Sequence, residues 1–548
     1  MVMVMEENNS RKHTTEYIKN KAIHAKRTSL NAIVSLIFSR IMLTGIILMG
    51  QIYLLFILLD RMKSSSATWL LYFFSICSML CIIAIINSDD NPAFKLMWMI
   101  PLSVFPIFGV LLYIFIKANP IRFGQEKGLN RRIDETAPYL LQSERVLKQM
   151  EEDEVTITDL SFYIRNVNKF PTYDNTEVFY FRSGEEKFFD LLEEIKKAEK
   201  FIFLEYFIVS KGFVWNSILE LLKEKAATGV EVRLMYDGFN ILSDLPHRYG
   251  KELEPYGIQV RQFSPIMPFL SSHQNYRDHR KILVIDGKIA YNGGVNLADE
   301  YMNYVERFGY WKDTAVKIKG EAVKSFTAMF LQMWNILDKR EEEYEKYLGN
   351  KICDFKDKSQ TFHNRELGYI IPYNDDPCNR LDVAEEVYLD ILNKAKKYVW
   401  ITTPYLIPEN EIITGLCFAA QRGVDVRIIM PHIPDKKIAF DIAHTYYPQL
   451  MAAGVKMYEF TPGFIHAKMF LSDDCKAVVG TINLDFRSLY EHFECATFIY
   501  NNPVILDVKN DFVETFERCQ EFTLEDYQKL PFARRIRGKL FRLFAPLM

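Results

Sequence analysis

Two histidine-lysine pairs in this 548-residue chain have the residue types and spacing for phosphoryl transfer. The stretch His279-Arg-Lys281-Ile-Leu-Val-Ile-Asp286 recurs in altered form as His466-Ala-Lys468-Met-Phe-Leu-Ser-Asp473. Side chains alternate between the faces of a β-strand, so His279 and Lys281 would project together from its start while the apolar residues behind them anchor it in a core. An imidazole can attack phosphorus while a neighbouring ammonium steadies the phosphoryl oxygens. One copy is half of such a site, and the second copy supplies the other half.

Further positions repeat with the pairs. Asn292-Gly-Gly294-Val-Asn296 follows Asp286, and Gly480-Thr-Ile-Asn483 follows Asp473. Glycines let a backbone pass close to a ligand, and the amides of Asn296 and Asn483 can donate to phosphate oxygens. Downstream, Asp313 (in GYWKDT) and Glu494 (in HFECA) stand in comparable places, where a carboxylate can bind the second imidazole nitrogen and fix the tautomer. A lone His-x-Lys with an aspartate beyond it is a weak signal. Its duplication, together with the Gly and Asn followers, makes chance a poor explanation. His247, His273, His363, His432, His444 and His492 have no such repeat and read as ordinary loop or core residues; His492 is of interest only for lying near Glu494.

The elements that must position these residues alternate between helical and strand patterns. From Glu185 a helical stretch (EEKFFDLLEEIKKAEK) precedes an apolar strand (FIFLEYFIV), then a helix and a second strand (VEVRLMYDG), which predicts a layered α/β fold. The order returns later: KKAEKFIFLEYFIV resembles NKAKKYVWITTPYLIP, ATGVEVRLMYDG resembles AQRGVDVRIIMPH, and YGIQVRQFSP resembles AGVKMYEFTP. This internal duplication predicts a first half at 181–345, a linker at 346–370 and a second half at 371–529. The first copy carries an insertion, IMPFLSSHQNYRD, whose Met267, Phe269 and Leu270 suit either lipid contact or a covered loop.

The N-terminal part differs in composition. Residues 1–31 form a polar, basic tail, and 32–120 read as a transmembrane anchor with apolar segments at 41–59, 67–87 and 97–116. Each is close to the ~20 residues that a helix needs to cross hydrocarbon. Pro101 and Pro106 would kink the third. A multi-pass protein of the cell membrane is therefore expected. Basic flanks before the first segment and after the third, including Arg40, Lys117, Arg122 and Lys127, would both sit inside by the positive-inside rule, which an odd number of spans forbids. Either one segment dips in and out or the large C-terminal part lies outside. Residues 121–180 read as a connector. A net charge of −3 gives no electrostatic case for nucleic acid, and the eight cysteines lack the CxxC spacing of a zinc or redox site.

The motifs HRKILVIDGKIAYNGGVNLADEY and HAKMFLSDDCKAVVGTINLDFRSL resemble the paired HKD signatures of the phospholipase D superfamily. Within it, NPAFKLMWMIPLSVFPIFGVLLY, TTPYLIPEN and TPGFIHAKMFL resemble bacterial cardiolipin synthases. The resemblance implies two α/β halves facing each other, one site at their junction, and neither metal nor cofactor. It implies that two phosphatidylglycerol molecules give cardiolipin and glycerol through a phosphatidyl-histidine. By the same analogy His279 is the nucleophile and His466 the acid/base, although the near-symmetric sequence does not itself decide. Lys281 and Lys468 would stabilise phosphoryl charge, Asn296 and Asn483 would bind phosphate, and Asp313 and Glu494 would orient the imidazoles. Asp286 and Asp473 complete the catalytic motifs, although their place at strand ends also suits a structural part.

The segment 530–548 predicts a basic amphipathic helix. Phe532, Ile536, Leu540, Leu543 and Phe544 share a face, flanked by Arg534, Arg535, Arg537, Lys539 and Arg542. It suits anionic membrane lipid or the protein's own core. The competing functions are a hydrolytic phospholipase D, a phosphatidyltransferase with another alcohol acceptor, a nuclease and a non-catalytic scaffold. Intact histidines and lysines in both copies oppose the scaffold, and the membrane segments with the absent basic excess oppose the nuclease.

Overall fold

The computed structural model describes residues 65–117, 120–242, 245–246, 248–264, 276–336, 338, 342–350, 365–378 and 381–547, with isolated positions 50, 53 and 57. The tail 1–31, almost all of the segment at 41–59, the apolar insertion after Pro265 and the centre of the linker lie outside these residues. The chain divides into two compact units, one holding the described residues up to 117 and the other those from 120 onward.

Among its described residues the first unit contains the helices α1 (Ser65–Ile86), α2 (Pro92–Val104) and α3 (Pro106–Lys117). Within α1, Thr68–Ile86 is the one helix among the described residues long and apolar enough to cross a membrane. A multi-pass anchor is therefore not supported. The segment expected as a third span at 97–116 is not one helix: it breaks at Phe105, whose φ of −133° and ψ of 72° are non-helical. Pro106 explains the break, because it has no N–H for the ladder and disfavours a helical residue before it.

The second unit is built on two sheets. The first consists of β1 (Thr176–Phe181), β2 (Phe201–Tyr206), β3 (Glu231–Asp237), β4 (Ile258–Phe263), β6 (Lys281–Ile285), β7 (Ile289–Gly293) and β9 (Ala315–Gly320), in the order β1-β9-β7-β6-β2-β3-β4. The second contains β10 (Tyr369–Asp375), β11 (Tyr398–Thr402), β13 (Asp425–Pro431), β14 (Lys456–Phe460), β16 (Met469–Ser472), β17 (Lys476–Gly480), β19 (His492–Tyr500) and β20 (Cys519–Phe522), in the order β10-β19-β17-β16-β11-β13-β14-β20. Apart from β20 the two orders are the same, strand for strand, as duplication requires. β2 is buried at every residue, as is β11, which accounts for their continuous apolar runs.

The stretch at 121–180 does more than connect. It forms helices at Pro120–Thr136, Glu144–Glu152 and Thr158–Asn168, and then β1, which pairs antiparallel with β9 as the edge of the first sheet. Helix α4 (Val323–Trp334) is buried along almost its whole length, with Phe330 stacked on Phe203 of β2 at 4.6 Å between centroids.

Short parallel ladders tie the halves together. β5 (Arg277–Asp278) of the first half pairs with β19 of the second, and β8 (Tyr310–Lys312) of the first pairs with β15 (Gly463–Ile465) of the second. A last small pair, β12 (Leu406–Ile407) with β18 (Leu484–Asp485), lies within the second half.

Candidate active site

The two histidines sit in the gaps between these inter-half ladders and the sheets. His279 lies between β5 and β6, and His466 between β15 and β16, so each precedes its sheet strand rather than opening it. The backbone explains the offset. The His279 N–H donates to Phe493 O at 2.9 Å and the His466 N–H to Lys312 O at 2.7 Å, so each histidine is fastened to the opposite half.

The side chains repeat the exchange. His279 Nδ1 lies 2.8 Å from Glu494 Oε1, and His466 Nδ1 lies 2.6 Å from Asp313 Oδ2. Each of these carboxylates thus comes from the half opposite its histidine. With Nδ1 occupied, Nε2 is the nitrogen left for phosphorus or for a proton. Both histidines, both lysines and both carboxylates are buried. Each lysine Nζ donates to the carbonyl of the histidine two residues before it. The alternation expected of these stretches holds at Arg280, which points away and lies 3.8 Å from Glu205.

Electrostatics separate the two imidazoles. Burial drives His279 well below its ordinary value, and Lys281, His492, Lys468 and His466 push it the same way. Burial and Lys468 also lower His466, to about 4, but Asp313 opposes the fall through its charge and hydrogen bond. Burial would raise Asp313, yet His466, Lys468 and the Thr314 amide more than offset it and hold this carboxyl below its usual range. Glu494 is lifted by burial to about 8. The ammonium groups are desolvated too, Lys281 falling to about 8 and Lys468 to about 7. An anion placed beside them would favour their charged forms.

The two asparagines differ in their surroundings. Asn296 Oδ1 accepts the Ile208 N–H at 2.9 Å, and Asn483 Nδ2 donates to Ser488 Oγ at 3.0 Å. Both are buried.

Asp286 and Asp473 are not brought to the histidines, which corrects their place among catalytic residues. Asp286 accepts the backbone N–H groups of Glu199, Lys200 and Phe201 at 2.8, 2.7 and 2.9 Å. Asp473 does the same for Lys396, Lys397 and Tyr398 at 2.7, 2.8 and 2.9 Å. Each clamps the chain leading into a central strand, at the end of its own strand away from the imidazole. Their φ values of 55° and 54° suit aspartate better than most residues. Asp286→Ala should cost roughly 2–3 kcal/mol of stability, the scale of lost charge-assisted hydrogen bonds. Denaturant unfolding measures this, and turnover per folded molecule should stay close to that of the parent chain.

Several contacts were not anticipated from sequence. The Thr481 hydroxyl donates to Glu494. Phe207 packs edge-on against His279 at 4.9 Å, with Lys281 Nζ 5.4 Å from the same ring. Trp311 and Tyr301 flank His466 at 5.3 and 5.4 Å. His492 is closer to the chemistry than its loop-or-core reading implied: its ring is 5.4 Å from that of His279 and its Nδ1 is 3.6 Å from Glu494 Oε1. The available signal was its position two residues before Glu494, on the same face of a strand. Among the described residues, His279, His492 and Glu494 form one of two groups whose ligand atoms are close enough to hold a metal ion; Glu385, Glu409 and Glu411 form the other.

The family model described as "Cardiolipin synthase, PLD-like domain" matches residues 191–334 and 388–518, and that described as "Phospholipase_D-nuclease N-terminal" matches 76–117. The chain is 48% identical to an uncharacterized protein of Streptococcus mutans, covering 85% of this chain and 99% of the relative. It is 34% identical to a cardiolipin synthase of Geobacillus sp. (strain WCH70), covering 86% and 92%. The phosphatidylserine synthase of Haemophilus influenzae superposes with a TM-score of 0.53 at 15% identity, over 68% of this chain and 95% of that one, a likeness of fold. With identity of this extent running through both halves, the chain belongs to the cardiolipin synthase family of the phospholipase D superfamily and is a phosphatidyltransferase.

Proposed function

We propose that the chain makes cardiolipin from two phosphatidylglycerol molecules through a phosphatidyl-histidine. The observation that carries this reading is the exchange of carboxylates: two imidazoles in one buried junction, each held at Nδ1 by the opposite half. Neutral His279 attacks phosphorus through Nε2, and the bond from phosphorus to the glycerol oxygen breaks. His466 gives its Nε2 proton to that oxygen, and glycerol leaves. His466 then takes the proton of a hydroxyl on the second phosphatidylglycerol. The new oxygen-phosphorus bond displaces His279 and restores the starting site.

The unequal environments support this assignment. His279, with every leading influence lowering its proton affinity, is the better neutral nucleophile. His466, beside a carboxylate held ionised, is the better proton carrier. Lys281 and Lys468 offset the charge on the non-bridging oxygens. Incubating the purified chain with labelled phosphatidylglycerol tests the reading: cardiolipin with glycerol is expected, and phosphatidic acid as the main product would make the protein a hydrolase instead.

The C-terminal helix supports an anionic membrane partner. Helix α6 (Phe532–Phe541) packs against α5 (Lys437–Ala443) by its basic side, Arg534 and Arg537 both pairing with Asp441. Phe532, Ile536, Leu540, Leu543 and Phe544 face outward. The helix therefore docks on the protein while its apolar stripe stays available to lipid. Each buried side chain would contribute ~1 kcal/mol or more. The double variant Ile536→Asp/Leu540→Asp should then lower activity on phosphatidylglycerol vesicles about tenfold and leave turnover of a soluble short-chain substrate unchanged. Equal losses on both substrates would count against the membrane role.

A further inference from the structure

Helices α2 and α3 show a depth relation to α1. In the first turn of α2, Lys95 Nζ reaches the carbonyl of Ile86, the last residue of α1, at 3.2 Å. Near the other end of α2, the Leu102 carbonyl accepts from Ser78 Oγ at 2.7 Å. The stretch from Ser78 to Ile86 is ~12 Å of helix, whereas the whole of α1 is ~33 Å long. The chain has thus climbed less than half of α1 when it turns at Phe105.

It then comes back. The rings of Trp98 and Tyr113 are 5.4 Å apart. A continuous helix would separate these positions by ~22 Å. A Cβ on Gly109 would lie 2.7 Å from Leu102 Cα, so the close crossing of α2 and α3 requires glycine there. Leu102 and Val110 are buried with Ile85 of α1 between the three helices. Leu96, Ile100, Val104, Leu111 and Ile114 are exposed and apolar, continuous in character with the exposed side chains of α1.

The turn is made safe for an apolar medium. A bare carbonyl in hydrocarbon costs several kcal/mol. Pro106 cannot donate to Leu102, and the buried Ser78 hydroxyl supplies the missing hydrogen. Phe105 N–H donates to Pro101 O at 2.9 Å, and Gly109 N–H to Phe105 O at 2.7 Å. At the other end, where α1 stops and α2 begins, the chain is polar: Ser88, Asp89, Asp90 and the capping Asn91.

We propose that residues 92–117 form a re-entrant hairpin, entering and leaving the bilayer through one face and filling one leaflet beside the spanning helix α1. Its partner is the hydrocarbon of that leaflet, with Phe105 near the mid-plane. The basic flank that follows Lys117 then lies on the same side as the loop before Asn91, so residues 92–117 add no crossing to the one made by α1. The proposal concerns the anchor alone and stands whichever acceptor the enzyme uses.

The test places single cysteines in the full-length chain, with its eight native cysteines replaced by serine. The variants are Asp90→Cys before the hairpin, Gly124→Cys after it and Phe105→Cys at its turn. A membrane-impermeant maleimide is applied to intact and to permeabilised cells. Asp90→Cys and Gly124→Cys should give the same pattern, and Phe105→Cys should label only in detergent. Labelling of the first two from opposite sides would make 92–117 a crossing segment and overturn the proposal. Should the cysteine-free chain fail to insert, an epitope placed at either position in the unaltered chain gives the same comparison.

Discussion

Replacing His279 with alanine is expected to lower cardiolipin formation by at least ~10³-fold, equivalent to ~4 kcal/mol of transition-state stabilisation, and His466→Ala should do the same. The informative difference lies in a half-reaction. With a p-nitrophenyl phosphodiester the leaving group needs no proton, so His466→Ala should still release a burst of one nitrophenol per site and accumulate phosphorylated protein. His279→Ala should give neither. The reverse result would exchange the roles of the two histidines, and a variant turning over phosphatidylglycerol near the parent rate would end the two-histidine scheme. Every leading influence on His279 lowers its proton affinity, whereas Asp313 raises that of His466, and this difference is the physical reason to expect this direction.

Asp313→Asn should lower turnover of phosphatidylglycerol by ~10²–10⁴-fold, the range seen when an orienting carboxylate is made neutral without changing its shape, and Glu494→Gln should lower it less, because burial already lifts Glu494 to about 8. Their consequences should cross between halves. Asp313→Asn acts on His466, so it should damage proton delivery and spare the nitrophenol burst, although Asp313 and His279 lie on the same half. Glu494→Gln acts on His279 and should slow the burst itself. Asp313 also raises the proton affinity of His466. A rate that needs protonated His466 falls as pH rises through its pKa, so in Asp313→Asn this fall should move to lower pH. A burst lost in Asp313→Asn and kept in Glu494→Gln would contradict the exchanged pairing.

Much of this arrangement was legible because it is written twice. The His-x-Lys pairs, their Asn followers and the repeated strand patterns survive divergence between the halves, and the matching strand orders are their structural counterpart. The destination of each carboxylate was not legible. Asp313 and Glu494 sit at matching places in their own halves, and only the β5-β19 and β8-β15 ladders carry them to the opposite histidine. Asp286 and Asp473 read as chemical because they close the motif, yet a strand of that length moves its far end well away from its start. The hairpin escaped for a related reason. A count of apolar residues over 97–116 is satisfied equally by one crossing and by a reversal, and only the prolines hinted at the difference.

The exchange of carboxylates means that neither half owns a finished active site. A molecule whose halves have parted, during synthesis or on local unfolding, loses the partner of both imidazoles in the same event. On the proposed mechanism, the reactive histidine then exists only in the docked state. For a protein surrounded by the phosphodiesters of its own membrane, the proposed mechanism makes this a built-in interlock: an incompletely assembled copy would be silent rather than an unregulated lipase.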